Sequence, residues 1–296
     1  MTENVVRVRN LRKEYSGRAA VDDVSFDIVR GETFALLGPN GAGKSTTVEI
    51  LEGHRQRTAG DVEVLGVDPA SAGLAWKSRV GVVLQGTGVL GALTVREYLT
   101  QFAGFFPAPR DVDDVLAAVG LEAHAGMRVG KLSGGQQRRV DVALGIVGSP
   151  ELLFLDEPTT GFDPQARRDF WTMIRGLSAD GTTILLTTHY LDEAEALADR
   201  VGILVSGRLR ALGNVGTVGG EDARMPIVRW REPGDGQPRE RRTPEPARFV
   251  ADLVARTGAE PANVEIVRPS LEDIYLGLVA EHTGAAPTAD ALLTEA

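Results

Sequence analysis

The chain contains no cysteine. Disulfides, thiolate metal sites and a cysteine nucleophile are therefore excluded, and its compartment cannot be read from redox chemistry. It also lacks any apolar run near the roughly 18 residues that a membrane helix requires. The longest candidate, Val140–Val147, is interrupted by Asp141. The first residues, MTENVVRVRNLRKEY, hold no apolar stretch of signal-peptide length. The expected location is thus the cytoplasm, unless a partner holds the chain elsewhere. There is no excess of basic residues: 32 Lys and Arg stand against 41 Asp and Glu, for a net charge of −9. That argues against a general nucleic-acid binder, which would show a basic field, and against strong unaided adhesion to anionic lipid. No internal repeat is visible. What remains is an ordinary globular composition, 43% hydrophobic and 25% charged over 296 residues. That length suits two domains, or one large domain with an appendage.

Periodicity gives a coarse plan. Strands are expected at Val5–Arg9, Ala20–Val29, Thr33–Leu37, Val62–Leu65 and Val80–Leu84, from period-two alternation or short apolar runs. Helices are expected over Leu93–Phe105, Val112–Val119 and Gln136–Gly145. Leu152–Leu155 is wholly apolar, as in a strand covered on both faces. Helix Gln165–Leu177, strand Thr183–Thr187 and helix Leu191–Ala198 follow, and Gly202–Val205 with Arg208–Leu212 reads as a closing hairpin. Strands alternating with helices predict an α/β fold with a largely parallel sheet. The character changes near Gly213. Arg231–Pro246 holds four prolines and many charges and reads as loop. It is flanked by strands at Pro226–Trp230 and Asn263–Val267 and helices at Ala247–Thr257 and Leu271–Ala280, enough for a small α+β appendage without an independent core. The residues after that are expected to fray.

Three motifs carry chemistry. Gly38-Pro39-Asn40-Gly41-Ala42-Gly43-Lys44-Ser45 matches the phosphate-binding pattern GxxxxGK[ST], between an expected strand and an expected helix. Glycines let backbone N–H groups close around phosphate as an anion nest, and the helix N-terminus adds its dipole. Lys44 supplies a compact charge to the β- and γ-phosphates, and Ser45 offers a hydroxyl to Mg²⁺. Leu152–Leu155 runs into Asp156-Glu157, two acids at the carboxyl end of a strand, where parallel sheets bind ligands. Asp156 suits Mg²⁺, directly or through water, and Glu157 suits polarisation of an attacking water. Leu132-Ser133-Gly134-Gly135-Gln136 has two readings. It is a second anion site at a helix start, or a plain capping box in which Ser133 and Gln136 satisfy the first turn.

The combination resembles the ATP-binding-cassette (ABC) ATPases, with LSGGQ as their signature motif. The likeness covers about residues 5–215. It implies a P-loop NTPase cassette with an antiparallel β subdomain, a mostly parallel core sheet and a helical signature subdomain. It further implies ATP and Mg²⁺ as cofactors. Tyr15 stands where the family places an aromatic that stacks on adenine. Thr46 continues the phosphate loop. Gln85 matches the loop glutamine that contacts Mg²⁺ and water and couples to membrane partners. Asp163 in Gly161-Phe162-Asp163-Pro164 matches the loop crossing the dimer interface, where Phe162 replaces a common Leu. His189 matches the switch histidine that senses the γ-phosphate. Catalysis is thereby assigned to Glu157, His189, Gln85 and Lys44, and Mg²⁺ binding to Ser45, Gln85 and Asp156. With one phosphate loop and one signature, the chain is expected to pair with a second copy around two ATP molecules.

The stretch Pro269-Ser270-Leu271-Glu272-Asp273-Ile274-Tyr275-Leu276 resembles a motif near the end of daunorubicin-resistance-type ATPases, of the ABC-2 exporter group. The spacing of Leu271, Ile274 and Leu278 gives one apolar helical stripe. The expected partition is 1–215 as cassette, 216–282 as accessory region and 283–296 as disordered tail. The implied role is the ATPase subunit of an exporter moving a drug, antibiotic or lipid-like substrate. It would sit on the inner membrane face through a separate multispanning permease, docked along Gln85–Leu99, with no nucleic acid. Two alternatives stand beside it. One is a soluble cassette ATPase without a transport role, disfavoured by the single cassette and by the lack of heptads between loop and signature. The other is an importer ATPase with a C-terminal regulatory domain.

Overall fold

In the computed structural model, residues 3–84, 91–231, 237–258 and 261–283 are described. The chain divides into two compact units, Met1–Leu212 and Gly213–Ala296.

The first unit runs β1 (Asn4–Tyr15), β2 (Arg18–Val29), β3 (Thr33–Leu37), α1 (Lys44–Leu51), β4 (Ala59–Val64), α2 (Leu74–Lys77), β5 (Val80–Val83), α3 (Val95–Ala103), α4 (Val112–Val119), α5 (Gly134–Ile146), β6 (Leu152–Asp156), α6 (Pro164–Ala179), β7 (Thr183–Thr188), α7 (Leu191–Leu197) and β8 (Arg200–Val205). β9 (Arg208–Asn214) crosses the boundary at Leu212. Two sheets result. The antiparallel one has the order β2-β1-β4. Its alternating Val6, Val8, Val24, Phe26, Ile28, Val62 and Val64 are buried in one core with Phe34 and Leu36 of the second sheet. Phe26 and Phe34 stack with ring centroids 5.2 Å apart. The second sheet has the order β5-β6-β7-β3-β8-β9.

Its inner strands lie parallel, and every residue of β3 and β7 is buried. Such two-sided burial explains why these strands read as unbroken apolar runs rather than alternations. Register then decides what meets at the carboxyl edge. Leu37 pairs with Thr188, and Asp156 pairs with Thr187. The residues that follow β3, β6 and β7 therefore emerge side by side.

The helical layer is set by its caps. α3 starts at Thr94, whose hydroxyl and Glu97 form a reciprocal capping box. It is therefore shorter at both ends than the Leu93–Phe105 expected from apolar content. Asp111 accepts from two first-turn N–H groups of α4, and Ser133 caps α5 with Gln136. α5 approaches β5 very closely. A Cβ on Gly81 would stand 2.2 Å from the carbonyl oxygen of Gly145, and one on Gly145 would stand 2.8 Å from Val83 Cγ2.

The second unit contains α8 (Gly220–Arg224), β10 (Ile227–Arg231), β11 (Pro238–Arg242), α9 (Pro246–Thr257), β12 (Ala262–Val267) and α10 (Leu271–Thr283). Its antiparallel sheet has the order β11-β10-β12. Val228 and Trp230 of β10 pack with Phe249 and Leu253 of α9, so the unit has a small core of its own, contrary to the expectation of none. The stretch read as loop also needs correction. Pro238–Arg242 is a strand paired with β10. Proline is tolerated there because it is the first residue of an edge strand, where the missing N–H forfeits no ladder bond. The mixed charges that resembled a loop are the exposed side chains of that edge. On α10, Leu271 and Ile274 are buried as the stripe requires, and Tyr275 joins them while Leu278 is only half-buried.

The Gly81–Gly145 contact predicts a stability effect. Gly81→Ala should push α5 away from β5 and lower unfolding free energy by about 1–3 kcal/mol, the usual scale of overpacking. Urea denaturation against the parent protein checks it, and an unchanged midpoint would deny that this contact sets the helix position.

Candidate functional site

The phosphate-loop sequence leaves β3 and closes on α1. Gly41 and Gly43 have φ of 76° and 102°, a region that side chains disfavour. A Cβ on Gly43 would meet the carbonyl oxygen of Ala20 at 2.5 Å, and one on Gly38 would meet that of Leu204 at 2.4 Å. The loop is thus a backbone cradle with no room for side chains at these points. Pro39 is half-buried, Ala42 buried, and Asn40, Gly41 and Ser45 face outward at the mouth with Thr46 half-buried behind them. Lys44 is buried, and its Nζ donates to Gly38 O at 2.6 Å and Pro39 O at 3.3 Å. Burial lowers its pKa, and the charges of Glu157 and Asp156 oppose that shift. The cation and both acids therefore share one electrostatic neighbourhood, as the register demands.

Asp156 ends β6 and accepts a hydrogen bond from Thr187 Oγ1. Glu157 sits one residue beyond, in the left-handed region with φ of 43°. Its N–H donates to Thr187 O at 3.1 Å, which holds that conformation in place. Its carboxylate lies 3.3 Å from His189 Nδ1 and accepts from Thr160 Oγ1 at 3.4 Å. The hydrogen bond from His189 holds its pKa below the usual carboxylate range, against the opposing effect of burial. His189 leads out of β7, and its ring lies tilted against Tyr190 with centroids 4.0 Å apart. Tyr190 in turn carries the Arg167 guanidinium over its ring at 4.3 Å.

The signature residues occupy a different wall. Ser133, Gly134 and Gly135 open α5 and line a cleft of about 640 Å³ together with Glu157, Phe162 and Asp163. Of the described residues that wall this cleft, none belongs to the phosphate loop. The capping-box reading of LSGGQ is observed. Gln136 N–H donates to Ser133 Oγ at 3.3 Å and Ser133 N–H donates to Gln136 Oε1 at 3.0 Å, yet the helix start still faces an open cleft. Asp163 caps α6, accepting from the N–H groups of Gln165 and Ala166 at 2.9 Å each. Tyr15 stands apart at the end of β1, exposed, with Lys13 and Arg55 over its ring at 5.0 and 5.4 Å. Gln85 lies outside the described residues, as does the first part of the expected docking segment.

Arg138 was not expected. It follows the signature on α5 and is buried. Its guanidinium donates to Pro158 O and Asp156 O at 3.0 Å each and to Leu84 O, and Asp141 lies 3.6 Å away. A buried guanidinium is tolerated only when its N–H groups are satisfied, and here the acceptors are backbone carbonyls at the ends of β5 and β6. In the sequence it is one arginine in the polar run Gln136–Arg139, which reads as a solvated helix face. Glu52 was likewise missed. It caps the end of α1, is buried, and its pKa is pushed up to about 8, first by burial and then by Asp156 and Glu49. His54, 3.2 Å away, has more than half its side chain in water, so its influence is screened.

A parallel sheet with a glycine cradle, a buried lysine and a strand-end acid pair at one edge defines a P-loop nucleoside triphosphatase. A family model described as ABC transporter matches residues 21–160. The Nod factor export ATP-binding protein I of Rhizobium johnstonii is 37% identical over 299 residues, covering 92% of this chain and 94% of the relative. The protein of that name from Burkholderia pseudomallei is 43% identical over 210 residues, covering 69% of each. A solved part of an ABC transporter complex from Clostridium perfringens shares 29% identity at a TM-score of 0.67, covering 72% of this chain and 89% of that one. A nucleotide-free ATP-binding cassette from an ABC transporter, at 24% identity and a TM-score of 0.64, supports the fold. The chain belongs to the ATP-binding subunits of ABC transporters, and it is an ATPase.

Glu52 yields a pH prediction. The native state keeps its proton to about pH 8, whereas the unfolded chain releases it near the ordinary glutamate value of 4.5. Over that window the unfolded state binds fewer protons, so this group makes stability fall as pH rises. Glu52→Gln, neutral throughout, should gain about 1–3 kcal/mol on the parent between pH 5 and pH 8. Thermal or urea unfolding at both pH values reads this, and a pH-independent difference would count against it.

Proposed function

We propose that this chain is the ATP-hydrolysing subunit of an ABC-2-type exporter, working as a pair of copies on a multispanning permease. The observation that carries the reading is a likeness over 92% of the chain to ATPases named for Nod factor export, extending beyond the cassette. No helix among the described residues is long and apolar enough to cross a membrane. We assign residues 1–215 to the cassette, 216–282 to an accessory region and 283–296 to a tail. The exported molecule is a drug, an antibiotic or a lipid-like compound; the relatives are named for Nod factor export.

Each site residue then has a task. The N–H groups from Gly38 to Thr46 and the Lys44 ammonium bind the β- and γ-phosphates, and Tyr15 offers its exposed ring to the base. The donor set fits Mg²⁺, because Ser45 supplies a hydroxyl at the loop mouth and Asp156 a carboxylate at the end of β6, one strand removed from β3, with Gln85 as a third ligand. The ion would neutralise phosphate charge during transfer. Glu157, charged at neutral pH because His189 stabilises the carboxylate, orients the attacking water and accepts its proton. His189 is held by that same contact and faces the transferred group. Ser133, Gly134, Gly135 and Asp163 open on a cleft that the chain's own phosphate loop does not wall, with Gln136 behind them in the capping box. This supports completion of each ATP site by a second copy in an isologous pair. A separate groove of about 480 Å³, bounded by β5, Leu84, Tyr98, Phe102, Phe106 and Leu144, is the proposed seat of the permease.

Glu157→Gln should bind ATP and form a stable pair while kcat falls about 10²–10⁴-fold, the usual range for losing a general base. Near-normal turnover in that variant would remove Glu157 from its role. Lys44→Ala should lose nucleotide affinity or turnover in the same assays. For transport, the tagged protein purified from gently solubilised host membranes should bring a stoichiometric multispanning protein with it. Recovery of ribosomes or nucleic acid instead would point to a soluble cassette.

A further inference from the structure

The signature residue Gln136 has a neighbour that the cassette pattern does not mention. His124 lies in a short turn of helix, Glu122–His124, between α4 and the signature. Its Nε2 is 2.9 Å from Gln136 Nε2. The direction of that bond follows from the other end of the amide. Gln136 Oε1 accepts from Ser133 N–H, which can only donate, so Oε1 is fixed toward the backbone. Nε2 is then the end that reaches His124, and it donates. His124 must present a lone pair at Nε2 and carry its proton on Nδ1. Nδ1 is buried and has no partner among the described residues, so no contact other than Gln136 selects this tautomer.

We propose that His124 is a positioning residue for the signature motif. It holds the Gln136 amide in the one orientation that closes the capping box with Ser133. Ser133 Oγ accepts from Gln136 N–H, which turns its own hydroxyl proton outward, toward the cleft. The chain of contacts runs from His124 through the amide to the one hydroxyl donor at the start of α5. Surrounding bonds keep this chain in register. Gln137 Nε2 donates to Leu132 O at 3.1 Å, and Arg139 Nη1 donates to Val119 O at 2.8 Å, tying the segments on either side of His124 to α5. Without an acceptor at the Nε2 position the amide can turn over. Its NH₂ would then oppose Ser133 N–H, donor against donor, and the box opens.

The consequence for phosphate capture rests on the exporter-ATPase reading, in which the signature covers the second copy's ATP. The test uses full-length protein carrying Glu157→Gln, with His124→Leu, which keeps bulk without an acceptor, and His124→Gln, whose amide oxygen reaches the Nε2 position. Two readouts are taken. Amide hydrogen exchange of the segment from Ser133 to Gln137 reports the capping box whether or not the protein pairs. It should quicken in His124→Leu and return to the parent rate in His124→Gln. The ATP concentration for half-maximal pairing, read by analytical ultracentrifugation, should rise about tenfold in His124→Leu, one hydrogen bond's worth, and recover in His124→Gln. Parent-like exchange in the leucine variant overturns the proposal, as does equal behaviour of both variants, which would reduce His124 to packing. If protein with His124 intact exchanges as expected but never pairs on ATP, the sandwich reading fails and the positioning role stands.

Discussion

The site depends on strand register. β3, β6 and β7 are parallel, and the pairing of Leu37 with Thr188 and of Asp156 with Thr187 forces their following residues to one edge. A slip of one residue would reverse every side chain and bury the acids in the apolar layers. The wholly buried faces of β3 and β7 make such a slip prohibitive, so the hydrophobic effect sets the geometry of the polar site. Lys44, Asp156, Glu157 and His189 come together because Phe34, Leu36, Phe154, Leu185 and their neighbours exclude water in only one alignment.

Arg138 extends that constraint to the helical layer. The guanidinium spans the ends of β5 and β6 through three backbone carbonyls while its own helix carries the signature. The glycine contact between Gly81 and Gly145 brings the same helix against the same strand. Polar and steric restraints thus act on one joint. Motion of α5 would reach the strand ends beside Asp156 and Glu157 through the Arg138 side chain, which bonds their backbone carbonyls directly.

Much of this was legible in the sequence, for particular reasons. The phosphate loop, the acid pair after Leu152–Leu155 and LSGGQ are contiguous, and contiguous motifs survive a reading without coordinates. Strand β3 was recovered to the residue because it is short, apolar and bounded by Gly31 and Gly38. Pro238–Arg242 was not, since an exposed edge strand carries charges on both faces and offers no alternation to detect. Arg138, Glu52 and His124 share a different obscurity. Each is a polar residue whose burial or partner depends on contacts distant in sequence, and each resembles surface when read alone. Asp163 shows the reverse case, in which a residue selected for the interface also caps a helix of its own subunit.

Glu157 carries one more lesson. Its backbone sits at φ of 43°, where a non-glycine residue stores strain. Replacing it by glycine would relax the backbone but also remove a carboxylate that His189 stabilises, so the two effects on stability oppose each other. A screen of variants of this protein for heat resistance alone would therefore weigh relief of backbone strain against loss of the His189 contact at this one position.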